Sequence, residues 1–297
     1  DPIDNFNGII DGNGRTINGL NPVLDTNNSG LIRYLLPGQS AKITNISFEG
    51  IEIDTVDGYI GSIIGQMQGG ELTLENIKIR ELSLRAGQYI GGIIGEIQNG
   101  AVIISQVSIE GDMPDDTGTT NPFGKGGLIG RILNNSDSIS ITANSVDIDI
   151  TINSSAPQVG SLVGVINTEN NHDLIFNNIS INSDLTGDSE VGALVGRFFG
   201  GINGASYEFE NIVVNSNQTQ ISSQTSPKLI GQLNSGDIDK IDFSNVFYLN
   251  SRNISQVFDE DSKSGVQRIT SLSELININT FSSALDIDPH PGNTTWS

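Results

Sequence analysis

The sequence predicts an all-β fold, a parallel β-helix or solenoid of about seven coils closed by a short C-terminal cap. Three observations predict it. A short glycine motif recurs seven times, an alternating strand pattern follows each copy, and the apolar positions of both halves align into continuous rows.

The clear copies of the motif are Ile60–Gly65, Ile90–Gly95, Lys125–Gly130, Val159–Gly164 and Val191–Gly196, with weaker copies at Ser29–Arg33 and Pro227–Gly231. Their closing residues are spaced by 30 to 35 positions. A unit of that length cannot bury a core alone and signals a stack of neighbours.

The second half of each unit alternates apolar and polar residues, the two-residue period of a half-buried strand. One inward row is Ala41, Leu72, Val102, Ile141, Leu174, Tyr207 and Ile241. A second runs Ile43, Leu74, Ile104, Ala143, Phe176, Phe209 and Phe243. Two more begin at Ile46 and Phe48, and a fifth, after the glycine motif, begins at Leu35 and Met67. Between the second and third rows stands a polar residue: Asn45, Asn76, Gln106, Ser145, Asn178, Asn211 and Asn245. Side chains there are expected to bond the same residue one coil away, closing a bend and satisfying the amide inside the stack. A right-handed coil is expected, because parallel crossovers nearly always are.

The ends are expected to differ from the coils. Residues 1–28 read as an entry segment, 29–249 as the coils and 250–297 as the cap, all of one domain. Ser271 with Glu274 has capping-box spacing ahead of Leu275 and Ile276, which predicts a short helix across the open edge. Trp296 is expected to seal that cap. The chain starts without Met and in the middle of a pattern, as a fragment or mature product would.

Composition narrows the partners. The formal charge is −21, from 35 acidic and 14 basic residues, so nucleic acid and anionic lipid are poor partners. Cysteine is absent, which excludes disulfides and thiolate metal sites. No apolar run approaches the roughly 18 residues of a membrane helix.

The Gly-Gly-Leu-Ile-Gly and Gly-Ala-Leu-Val-Gly segments resemble the GLUG motif of bacterial surface proteins. The opening Phe6-Asn7-Gly8-Ile9-Ile10-Asp11-Gly12-Asn13-Gly14 is similar to that family's entry segment. The run from Val246-Phe247-Tyr248 through Ser273-Glu274-Leu275 to Trp296 is similar to its exit segment. The resemblance implies an extracellular or cell-surface segment of a larger bacterial protein, an adhesin or an accessory part of a peptidase. It carries no catalytic residues onto this chain, and a fold alone does not fix function.

Two surface constellations are candidates for function. Glu49, Arg80 and Glu110 would stack as an alternating-charge ladder, followed by Glu110, Asp147 and Asp149 with no cation in line. Three such carboxylates would raise one another's pKa or hold a hard cation such as calcium, and they would also be the residues of a carbohydrate-active lyase or glycosidase. Asp11-Gly12-Asn13-Gly14 reads as a tight turn, and Asp259–Gly265 is similar to a calcium loop but has Lys263 where a ligand belongs. The two histidines fall in an expected loop, His172, and in the tail, His290. They are too few for a multi-histidine centre.

The second constellation is aromatic. Tyr59 and Tyr89 occupy one place in adjacent coils, and Phe123 lies near it in the next, beside a long loop over 111–124. Such a strip would serve as a stacking platform for sugars. The outward row Lys42, Thr73, Ile103, Thr142, Ile175, Glu208 and Asp242 is too irregular for an ice-binding threonine array. The expected function is non-catalytic recognition of a polysaccharide, glycan or surface protein. A carbohydrate-active enzyme and a passive stalk are the alternatives.

Overall fold

Alternating sequence becomes stacked strand. In the computed structural model the long strands Ser40–Glu49, Glu71–Arg85, Gly100–Met113, Ile139–Asn153, His172–Gly187, Ser206–Gln220 and Ile241–Leu249 lie side by side in one sheet. Gly8–Asn18 and Val266–Ile269 add a strand at either end. The structure describes residues 2–21, 28–55, 58–85, 88–115, 123–134, 138–155, 157–168, 172–200, 205–221, 228–233, 238–249 and 264–269. Pairing is parallel and in the register that the apolar rows predict, with Ile43 opposite Leu74, Leu74 opposite Ile104 and Ile104 opposite Ala143.

The short strands of the glycine motif form the second sheet. Five coils have two short arms, such as Tyr89–Gly91 and Ile94–Ile97, before the long strand, while Glu190–Phe199 and Lys228–Leu233 run both arms together as one strand. The result is a β-solenoid of about six turns rather than seven. The cap helix expected at Ser271–Ile276, Trp296 and most of the segment 259–265 lie outside the described residues.

The rows fill the core. Four are buried at every coil, and the fifth loses cover only at Leu233 near its end. Phe176, Phe209 and Phe243 stack with centroids 5.3 and 5.4 Å apart, as one row repeated at the strand spacing requires.

The polar residue between rows proves to be a backbone corner. Asn45, Asn76, Gln106, Ser145, Asn178, Asn211 and Asn245 all have φ between 52° and 58°. That is the left-handed region, which asparagine tolerates better than other side chains. Asn76 and Gln106 are exposed and the other five are half-buried, so the row sits at the surface of the stack and not inside it. Asn76 Nδ2 donates to Asn45 Oδ1 at 3.0 Å, and Asn245 to Asn211 at 2.9 Å. In between the ladder slips by one residue, so Asn178 donates to Asn144 and Asn211 to Asn177. Asn76→Ala is expected to lose roughly 1 kcal/mol more than Asn76→Gly, because glycine keeps the corner's φ without strain. Chemical unfolding of the two variants measures the difference, and equal losses would assign the cost to the side-chain bond instead.

Two expected features change form. Asp11-Gly12-Asn13-Gly14 is not a turn between elements but an irregularity inside the first long strand, where register shifts between Asp11 and Arg15. Asp11 Oδ1 accepts from the Asn13 amide at 2.9 Å and from Asn45 Nδ2 at 3.2 Å, and these bonds hold its carboxyl below the usual range. A kinked, charged outer strand is one way to blunt an exposed sheet edge. His172 is not in a loop; it opens a long strand, is buried, and accepts the Ile139 amide on Nδ1 at 3.1 Å. Burial holds its pKa below the ordinary value.

Candidate functional site

The two glycines of each motif shape the site. A Cβ on Gly126 would overlap the Ile129 carbonyl and come within 2.5 Å of the Gly164 nitrogen. One on Gly130 would stand 2.8 Å from the Ile90 backbone of the preceding coil. The arms thus meet backbone to backbone. Side chains flanking the motif, which alternate away from the core, are brought face to face on the outside, so this corner is concave.

One wall carries the predicted aromatic strip. Tyr59 and Tyr89 stack at 6.1 Å, and Tyr89 and Phe123 at 5.9 Å. Tyr59 is half-buried, Tyr89 only 9% exposed and Phe123 42%. The opposite wall is the residue that follows each closing glycine, in the register Gln66, Glu96, Arg131, Val165, Arg197 and Gln232.

The walls bond to each other. Glu96, fully buried, accepts from Gln66 Nε2 at 2.9 Å and Gln98 Nε2 at 2.7 Å and pairs with Arg131. Arg131 also donates to the Tyr59 hydroxyl at 3.2 Å and lies 3.9 Å over the Tyr89 ring. Burial of the Tyr59 phenol raises its pKa, the Glu96 charge adds to the rise, and Arg131 opposes it. One end of the corner is therefore filled with its own polar groups.

Further along, the corner opens. Gly124 occupies the place that Tyr89 holds in the previous coil and Gln158 in the next. Beside it lies a recess of about 250 Å³ floored by Val165, with Arg131 and Arg197 on one wall. Phe199 closes the far end, with the Arg197 guanidinium 3.9 Å over its ring. Glu190 reaches Arg197 across the corner at 3.7 Å. Burial raises the Glu190 carboxyl, against the pull of Arg197 and a bond from Gln158.

The acidic constellation is looser than the sequence suggested. Glu110 lies opposite Asp149, and Asp147 is on the same face. Among the described residues no three His, Asp or Glu side chains are gathered to hold a metal ion. Asn182 Nδ2 donates to Asp149 at 2.9 Å, so part of that carboxylate is already served. Partial burial raises the Asp147 carboxyl, a bond from the Ser180 hydroxyl opposes the rise, and the Asp149 charge adds to it. The Glu49, Arg80, Glu110 ladder is broken after its first step. Arg80 lies opposite Glu49 in the strand register, but Arg80 and Glu81 both fall in the register shift opposite Glu110, and Glu81 has φ 52°.

Sequence reasoning found the aromatic wall and missed the facing one. Glu96, Arg131, Glu190, Arg197, Phe199 and Gly124 were not singled out. A signal existed: the residue after the closing glycine is polar or charged at Gln66, Glu96, Arg131, Arg197 and Gln232, where it precedes a buried row.

What fold and site define is a parallel β-solenoid with an arginine- and aromatic-lined concave corner. No known protein family matches the chain, and no curated protein matches it in sequence. Among the described residues, no helix is long and apolar enough to cross a membrane.

Proposed function

We propose that this chain is a non-catalytic recognition module of a bacterial surface or secreted protein, an adhesin segment that binds a polysaccharide or other glycan along its concave corner. The observation that carries the reading is the stacked strip Tyr59–Tyr89–Phe123 leading into a recess lined by arginine, amide and aromatic groups. Aromatic faces pack against the apolar faces of sugar rings, and amide and guanidinium groups serve hydroxyls, the division of labour usual in ligand clefts. The scaffold supports this use because every coil sets one side chain per row, at about 4.8 Å spacing, on strands hydrogen-bonded to their neighbours.

The test is depletion of the purified protein from solution by insoluble polysaccharides and whole cells, with calcium and with chelator. Selective depletion is expected, weakened about tenfold by Phe123→Ala or Tyr59→Ala, the size of a moderate hot spot. Phe123 is exposed, so its truncation leaves the core intact. Binding that survives both substitutions would move the site off this corner, and depletion by none of the surfaces would sink the glycan reading.

A further inference from the structure

We propose that the recess between Tyr89 and Phe199 is a subsite for one carboxylate-bearing sugar within an otherwise neutral glycan, anchored by Arg197. The inference rests on the glycan-recognition reading and names the ligand class for the deepest part of the corner.

Cations are scarce in this chain, with 14 basic residues against 35 acidic, yet two arginines line one small recess. Their commitments differ. Arg131 is spent on Glu96, Tyr59 and the Tyr89 ring. Arg197 Nε is buried and has no hydrogen-bond partner. Its nearest carboxylate oxygen, Glu190 Oε2, stands at 3.7 Å and is itself without a hydrogen bond. A guanidinium binds carboxylate best in its own plane through short paired bonds, which Glu190 does not reach. The Arg197 side chain remains 32% exposed, so a ligand has access to it, and Phe199 holds the guanidinium plane from one side.

The surroundings select a sugar over an acidic peptide. Tyr89 and Phe199 offer rings, Gln158 and Asn167 offer amides, and Val165 gives an apolar floor. A peptide bound by strand addition needs an open sheet edge. The arms around this recess are paired on both sides, as Gly124–Gly126 is with Tyr89–Gly91 and Gln158–Gly160. The recess has room for about one sugar unit, and the charge of −21 opposes a polyanion, so the carboxylated unit sits among neutral ones.

The experiment is NMR of the whole chain, reading the Arg197 Nε–H resonance while methyl glycosides of glucuronate, galacturonate, mannuronate and N-acetylneuraminate are added, each beside a neutral methyl hexoside. At least one acid is expected to shift that resonance and to bind tenfold or more tightly than the neutral sugar. Arg197→Gln should abolish that preference. Glu190→Gln, which removes the competing carboxylate, should strengthen binding. No shift with any of the four acids, or equal affinity for acid and neutral sugar, overturns the subsite. Depletion by neutral polysaccharides would then still stand or fall separately. An acidic peptide that shifts Arg197 more strongly than any sugar would replace the sugar assignment.

Discussion

Gly126→Ala is expected to destabilise the solenoid by roughly 3 kcal/mol, the upper end of what one added methyl costs in a packed site. The methyl would overlap the Ile129 carbonyl and press on the Gly164 nitrogen, and both are backbone atoms held by neighbouring strands. Neither can swing aside as a side-chain end would. Relief requires the two arms to separate, which breaks the amide-to-carbonyl bonds that Gly127 and Leu128 make to Gly160 and Leu162, at 3.1 and 3.0 Å. Differential scanning calorimetry should show a midpoint lower by about 5–10 °C. Asp173→Ala, on an exposed face, should stay within about 0.5 kcal/mol of the parent. Because each coil touches only its neighbours, hydrogen exchange should quicken first in the coils around residue 126. A Gly126→Ala protein as stable as the control would mean that the arms do not meet backbone to backbone, and the concave corner would go with them.

That corner marks the boundary of what the sequence made legible. Apolar rows are readable because strand alternation repeats in register: once Leu74, Ile104 and Ala143 are aligned, their shared burial follows. The left-handed corner was legible as a position and not as a cause. Asn76 looked like an internal amide ladder, whereas its backbone angle selects asparagine and its side chain faces outward. The aromatic strip was found because Tyr59 and Tyr89 repeat one motif position. Arg197 and Glu190 were not, since they sit on different arms and meet only because the corner folds inward. The Arg80–Glu81 irregularity escaped for a simpler reason: one extra residue in a strand leaves the alternation on either side intact.

The second large effect is expected from Arg131→Met, at about 3–5 kcal/mol, the cost of stranding one member of a buried ion pair. Glu96 is fully buried in the corner, and the amides of Gln66 and Gln98 donate to one of its oxygens. The other oxygen faces Arg131. Methionine preserves packing against the Tyr89 ring, so the loss isolates the missing charge and donors rather than a cavity. Glu96→Gln alone should cost less, because Arg131 keeps some access to solvent and its contact with Tyr59. The double variant Arg131→Met with Glu96→Gln should recover most of the deficit, since a neutral pair of similar volume often replaces a buried ion pair at little cost. The four proteins form a double-mutant cycle, and a coupling of about 2 kcal/mol or more is expected from thermal or denaturant unfolding. A coupling under about 0.5 kcal/mol would mean that water serves Glu96. The walls of the corner would then be held by the glycine contacts alone, and the strip of Tyr59 and Tyr89 would lack the clamp that presents Phe123 to a ligand.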